Sequence, residues 1–151
     1  IIWTNYIKTS ESLLTELGSS AVLINGNLHL DLRNKNIERF KTDVKVRFLI
    51  ATYGTAKEGL TLTVANHAIF FERNFSLSDY LQAQDRIHRI SQKKKSFIYN
   101  IYTKDSAEDW LEALVSAKES AAKFVQGDID EDEFSEKIRY DYGDILKDIL
   151  N

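Results

Sequence analysis

Short apolar runs alternate with amphipathic stretches along this chain. Ile1 to Thr4 is apolar and β-prone and reads as a strand. Leu13, Leu14 and Leu17 then share one helix face, with Thr9 or Ser10 as cap and Gly18 as stop. Ala21 to Ile24 is a second strand, closed by an Asn25-Gly26-Asn27 turn. Leu30 to Phe40 reads as a helix whose core contacts are Leu32, Ile37 and Phe40, and Val46 to Ala51 as a third strand. A small-residue turn runs from Thr52 to Gly59, and Ala68 to Phe71 is a further apolar run. Ser76 opens a helical pattern carrying Gln82, Arg86 and Arg89, and Phe97 to Tyr102 is the next strand. Strands alternating with helices predict βαβ units, a parallel sheet and right-handed crossovers. Ligands of such sheets sit beyond the carboxyl ends of the strands, here after Thr4, Ile24, Ala51 and Phe71.

The pattern changes near residue 106. Trp110, Leu114, Ala117, Ala121 and Phe124 form one stripe of a long amphipathic helix opened by Ser106 and ended by Gly127. Residues 128–133 are nearly all acidic and read as a solvated linker. A last helix, roughly Glu131 to Leu150, carries Phe134, Ile138, Tyr142, Ile145 and Ile149 on one side. The expected division is therefore a layered domain over 1–127 and an acidic linker with a docked helix over 128–151.

Composition narrows the chemistry. The 151 residues contain no cysteine, which excludes disulfides and thiolate zinc sites, and His29, His67 and His88 are too far apart for a compact local metal motif. No apolar run has membrane-spanning length, so no membrane partner is expected. The chain does not open with Met and reads as a fragment of a longer one. Charge is uneven: residues 1–105 hold 15 Lys and Arg against 10 Asp and Glu, a net +5, whereas residues 106–151 hold 5 against 13, a net −8. A basic body allows a polyanionic partner.

On a regular helix Gln82, Arg86 and Arg89 fall at i, i+4 and i+7, on one face, while Tyr80, Ala83, Ile87 and Ile90 seat the helix on the sheet. Two arginines one turn apart present forked donors suited to phosphate oxygens. A solvated charged face is the alternative. The stretch KEGLTLT followed by LQAQDRIHRISQ resembles motifs V and VI of the Swi/Snf-like branch of superfamily-two helicases. IIWTNY resembles the family's motif IV region, and Gly26 with Arg33 the segment after it. Ser91 stands where the family usually has Gly, and Asn74-Phe75 where many members show Trp-Asn-Pro.

The resemblance implies an α/β fold: a RecA-like parallel sheet with helices on both faces plus a C-terminal helical extension. It implies the second RecA-like domain of an ATP-driven motor that moves along double-stranded DNA. The chain has no G-x-x-x-x-G-K-[ST] loop and no acidic pair after an apolar strand, so ATP and Mg2+ would be held mainly by an N-terminal RecA-like domain of the same protein. Arg86 and Arg89 become arginine fingers reaching the γ-phosphate. Gln82, Glu58, Gly59 and Thr61 become the nucleotide-side contacts. Thr52 and Thr63 become DNA-backbone contacts, as do Lys93, Lys94 and Lys95, with an ordinary turn as the alternative for each. His88 is expected to be structural and Trp3 a core aromatic. Strand-separating helicase and binding module without turnover are the rival functions. The EGLTLT wording looks bacterial or phage-like, which implies a cytoplasmic protein, nuclear if eukaryotic.

Overall fold

The computed structural model describes residues 1–56, 60–72, 76–101, 103 and 107–136; the side chains of residue 56 and of 107–113 are outside that description. Five strands, β1 (Ile2–Thr4), β2 (Ala21–Ile24), β3 (Phe48–Thr52), β4 (His67–Phe70) and β5 (Phe97–Asn100), pair in the order β2-β3-β1-β4-β5. Every pairing is parallel, with Ile2 facing Ile50 on one side and Ile69 on the other.

Alternation along the strands separates two cores. Ile2, Ala21, Leu23 and Ile50 form one, covered by Leu13, Leu14 and Leu17 of α1 (Ile7–Leu17). The opposite face carries Trp3 and Phe70, fully buried. There Trp3, Tyr53 and Phe70 stack in series and Tyr80 meets Phe70 tilted by 56°, with successive centroids 6.3, 6.1 and 4.5 Å apart. Such pairs contribute about 0.5–1.5 kcal/mol each beyond area burial. Tyr80 belongs to α4 (Leu77–Gln84), so α1 and α4 lie on opposite faces. The Trp3 indole Nε1 is buried without a hydrogen-bond partner among the described residues.

α1 begins at Ile7, earlier than a Thr9 or Ser10 cap would place it. Its start is capped from far along the chain by the Glu72 carboxylate. That group accepts the backbone N–H of Asn5 (3.0 Å) and Tyr6 (3.2 Å) and the Thr9 hydroxyl (2.7 Å). Ser10 instead donates to the Ile7 carbonyl. Gly18, at φ 55°, ends the helix in the left-handed region where glycine is favoured. α2 (Leu30–Thr42) buries Ile37 and Phe40 but leaves Leu32 44 % exposed, against expectation. The turn expected after β3 opens instead as a short helix, α3 (Tyr53–Ala56).

The contacts fall into two compact units. One comprises residues 1–74 and 78–101, the other 75–77 and 102–151. In the second, α5 (Ala107–Gln126) ends at Gly127, φ 80°. Residues 131–136 are helical, starting where the last helix was expected to begin, and Asp130 caps them by accepting the Glu133 N–H at 2.9 Å. Phe134 stacks on Phe124 of α5, centroids 4.8 Å apart. The expected contacts of Ser106, Trp110, Ile138, Tyr142, Ile145 and Ile149 lie outside the described residues. Among the described residues no helix is long and apolar enough to cross a membrane.

Candidate functional site

α4 does not carry the arginines. It stops at Gln84, and residues 85–92 follow as turns. The Asp85 and His88 N–H groups still donate to Leu81 and Gln84, four residues back, but the Arg86 and Ile87 N–H groups reach only three residues back. The Arg86 carbonyl instead accepts the Leu62 N–H at 3.1 Å, a bond between the two segments. Gln82, Arg86 and Arg89 therefore do not share one helix face. Ile90, expected to seat the helix, is fully exposed, whereas Tyr80, Ala83 and Ile87 are buried as expected.

Residues 60–65 and 85–92 are instead stitched into one body. Arg86 is 8 % exposed and donates from Nη1 to the Leu60 carbonyl at 3.4 Å, while its Nε is buried with no partner. Arg89 donates from Nε to the Asp85 carbonyl (2.9 Å) and from Nη1 to the Thr61 hydroxyl (2.8 Å). Among the described residues neither arginine has a carboxylate in ion-pair range. Burial pushes the Arg86 pKa below the usual guanidinium value, the Arg89 charge adds to this, and Asp85 opposes it. Both arginines line one depression with Asp85, His88, Ile90 and Ser91. His88 is exposed there rather than structural.

Gln92 holds the two segments together. Its Nε2 donates to the carbonyls of Thr63 (3.2 Å), Ala65 (2.8 Å) and Ile87 (3.1 Å), and its Oε1 accepts the Lys94 N–H at 3.0 Å. Nothing in the sequence pattern singles out this role, because the partners lie up to 29 residues away. The Glu72 clasp on the start of α1 was equally hidden, at a separation of 67 residues.

The other expected residues are placed unevenly. The structure brings Thr61 to Arg89, and Thr63, through its carbonyl, to Gln92. Gln82 sits on α4 and donates to Ser78 at 3.2 Å, away from both arginines in its hydrogen bonding. Thr52 ends β3 and is 7 % exposed, which leaves it little surface for a contact. Lys93, Lys94 and Lys95 are exposed. Glu58, Gly59 and the Asn74-Phe75 pair lie outside the described residues. Arg33 donates to the carbonyls of Leu28 (2.8 Å) and Gly26 (3.5 Å), so the Gly26–Arg33 pair closes its own turn. The site stands on the segments leading into β4 and β5, not on the turns that follow β1, β2 and β3.

Comparison with known proteins agrees with this architecture. The helicase conserved C-terminal domain family matches residues 1–91. The ATP-dependent helicase fft3 of Schizosaccharomyces pombe is 28 % identical over 116 residues, covering 77 % of this chain and 13 % of that protein. The ATP-dependent helicase FUN30 of Saccharomyces cerevisiae is 27 % identical over 150 residues, covering 99 % of this chain and again 13 % of that protein. The chain thus spans about an eighth of these relatives. A crystal structure of the C-terminal part of the Fun30 ATPase domain superposes with a TM-score of 0.69 at 28 % identity, covering 76 % of this chain and 38 % of that one. Both relatives are yeast proteins and give the bacterial or phage-like reading no support. A parallel five-stranded sheet of RecA-like type, motif V and VI segments bonded to one another, and these relatives lead to one conclusion: the chain belongs to the helicase conserved C-terminal domain family, in its Swi/Snf-like branch.

Proposed function

We propose that this chain is the C-terminal half of an ATP-dependent DNA translocase, sharing its ATP site with an N-terminal RecA-like domain of the same protein. In this reading residues 1–127 are the RecA-like domain and 128–151 an acidic extension. The observation that carries the proposal is the pair Arg86 and Arg89, which line one depression and have no carboxylate partner among the described residues. A buried, incompletely bonded cation is costly unless an anion completes it. Phosphate oxygens arriving across a domain cleft would do so, and would be stabilised as charge develops during phosphoryl transfer.

Thr61 orients Arg89 through its hydroxyl, and Gln92 fixes the backbone that carries both arginines. Gln82, Glu58 and Gly59 are assigned to the nucleotide side of the cleft. Thr63 and Lys93–Lys95 are assigned to DNA phosphates, with Thr52 a weaker candidate because of its burial. The sequence has no nucleotide-binding loop and no acidic pair after an apolar strand, so the proposal places ATP and Mg2+ mainly on the other domain. The proposal places the protein in the nucleus, on its likeness to ATP-dependent helicases of eukaryotes.

The chain alone should release no phosphate from ATP, with or without DNA, because it has no nucleotide loop. Turnover that survives removal of contaminating ATPases would sink the shared-site reading. Strand-displacement assays on the intact protein separate translocation from unwinding: a translocase moves along duplex while displacing little strand.

A further inference from the structure

β5 edges the sheet and leaves its aromatic residues in water, with Phe97 38 % and Tyr99 46 % exposed. They stand two residues apart and so share a face. His67, at the start of β4 and in register with Phe97, lies on the same face and is also exposed. Its ring is 4.9 Å from Phe97 and 5.8 Å from Tyr99, within 11° and 6° of parallel. Its Nδ1 is 3.1 Å from the Tyr99 hydroxyl. The Lys95 ammonium lies 5.5 Å from the Phe97 centroid. The result is a column of three rings with a cation at one end and Tyr99 at the other.

The adjoining lysines are held by a fixed backbone. The Lys94 N–H is bonded to Gln92, and the Lys95 carbonyl accepts the Asn66 side-chain amide at 2.9 Å. The three side chains have no carboxylate partner among the described residues. Lysine charge without a counter-charge, beside aromatic rings kept at the surface, is the combination that binds a nucleic-acid strand whose bases are free to stack. A duplex offers phosphates to the lysines but hides its base faces. An acidic peptide would likewise use the lysines and gain little from the rings.

We infer that Lys93–Lys95 together with His67, Phe97 and Tyr99 form a contact strip for an unpaired nucleic-acid strand, phosphates on the lysines and bases on the ring column. The lysines are shared with the DNA-backbone reading above; the rings are new to it.

Fluorescence anisotropy of the 151-residue chain with a labelled oligothymidine strand, a blunt duplex of equal length and a polyglutamate peptide tests the strip. Tyr99→Ala and His67→Ala should each weaken oligothymidine binding at least about five-fold, the low end for losing one stacked ring, with duplex binding unchanged. Tyr99→Phe keeps the ring and should bind as the parent does. Neutralising the three lysines together should make the single-strand log K against log salt slope shallower by about 2. Ring substitutions that leave oligothymidine binding unchanged, or weaken duplex equally, overturn the strip; a lysine effect that persists in that case leaves the backbone reading standing. Polyglutamate bound as tightly as oligothymidine, and insensitive to Tyr99→Ala, would show a general acidic-partner surface and also overturn it.

Discussion

In the intact ATPase, Arg89→Lys should lose nearly as much turnover as Arg89→Ala. A guanidinium spans two acceptors with a planar fork; Arg89 already uses Nε on the Asp85 carbonyl and Nη1 on Thr61 to aim what remains. An ammonium keeps the charge but cannot hold two protein acceptors and a phosphate oxygen in one plane. Arginine fingers contribute about 10³- to 10⁵-fold in rate elsewhere, so kcat should fall by at least about 10³ while DNA affinity changes little. Arg86 should behave alike in rate and differently in stability. Its charge is buried, bonded once at 3.4 Å, and has no carboxylate partner among the described residues. Replacing such a charge by an apolar side chain of similar volume is often neutral or stabilising. Arg86→Met should therefore hold or raise the melting temperature and abolish turnover. Near-normal kcat in the Arg86 and Arg89 variants would return both arginines to an ordinary charged surface.

Gln92→Leu should be the most damaging single change to stability within this site. It removes one amide that serves three carbonyls and one N–H. Buried polar groups left without partners cost about 1–3 kcal/mol each, though neighbouring water can re-satisfy some of these. A loss of about 2–4 kcal/mol is expected. At about 2–4 °C per kcal/mol for a domain of this size, melting should drop by roughly 5–15 °C. Denaturant unfolding checks this directly, and a change under about 0.5 kcal/mol would show that Gln92 is not the tie. Gln92→Glu is the sharper test, because it points a carboxylate at three carbonyl oxygens and should be at least as harmful.

The first three strands were legible because they are buried on both faces and read as continuous apolar runs between helical stretches; β5 read as a strand from its apolar, β-prone residues although it is exposed. The helix carrying the arginines was misread for a physical reason. Periodicity continues through Arg89, and no Gly or Pro interrupts residues 77–92. Local signals thus favour helix, whereas this stretch is bonded to residues 60–65 by the Leu62 N–H, Arg86, Arg89 and Gln92, contacts that no local pattern encodes. Ile90 was placed inward by extending that helix and is exposed once the helix ends at Gln84. Gln92 and Glu72 act on partners far away in sequence, which no local pattern encodes. The arginines were singled out by spacing and given a role by motif resemblance, and the lysines by their run of charge; the mutual geometry of these groups was not available there.

The strand order has a consequence for how the chain reaches this state. β2 pairs with β3, and β4 with β5, across one connection each, whereas β1 pairs with strands that begin 46 and 65 residues after it. Two small half-sheets can form from neighbouring segments, and β1 is the seam that joins them. Until it inserts, each half exposes an unpaired edge and the apolar residues that Ile2 and Trp3 later cover. Seam closure between distant segments is slow relative to local pairing. Refolding should therefore be limited by docking of the first four residues, and during that interval the half-sheets are the species most prone to associate with one another.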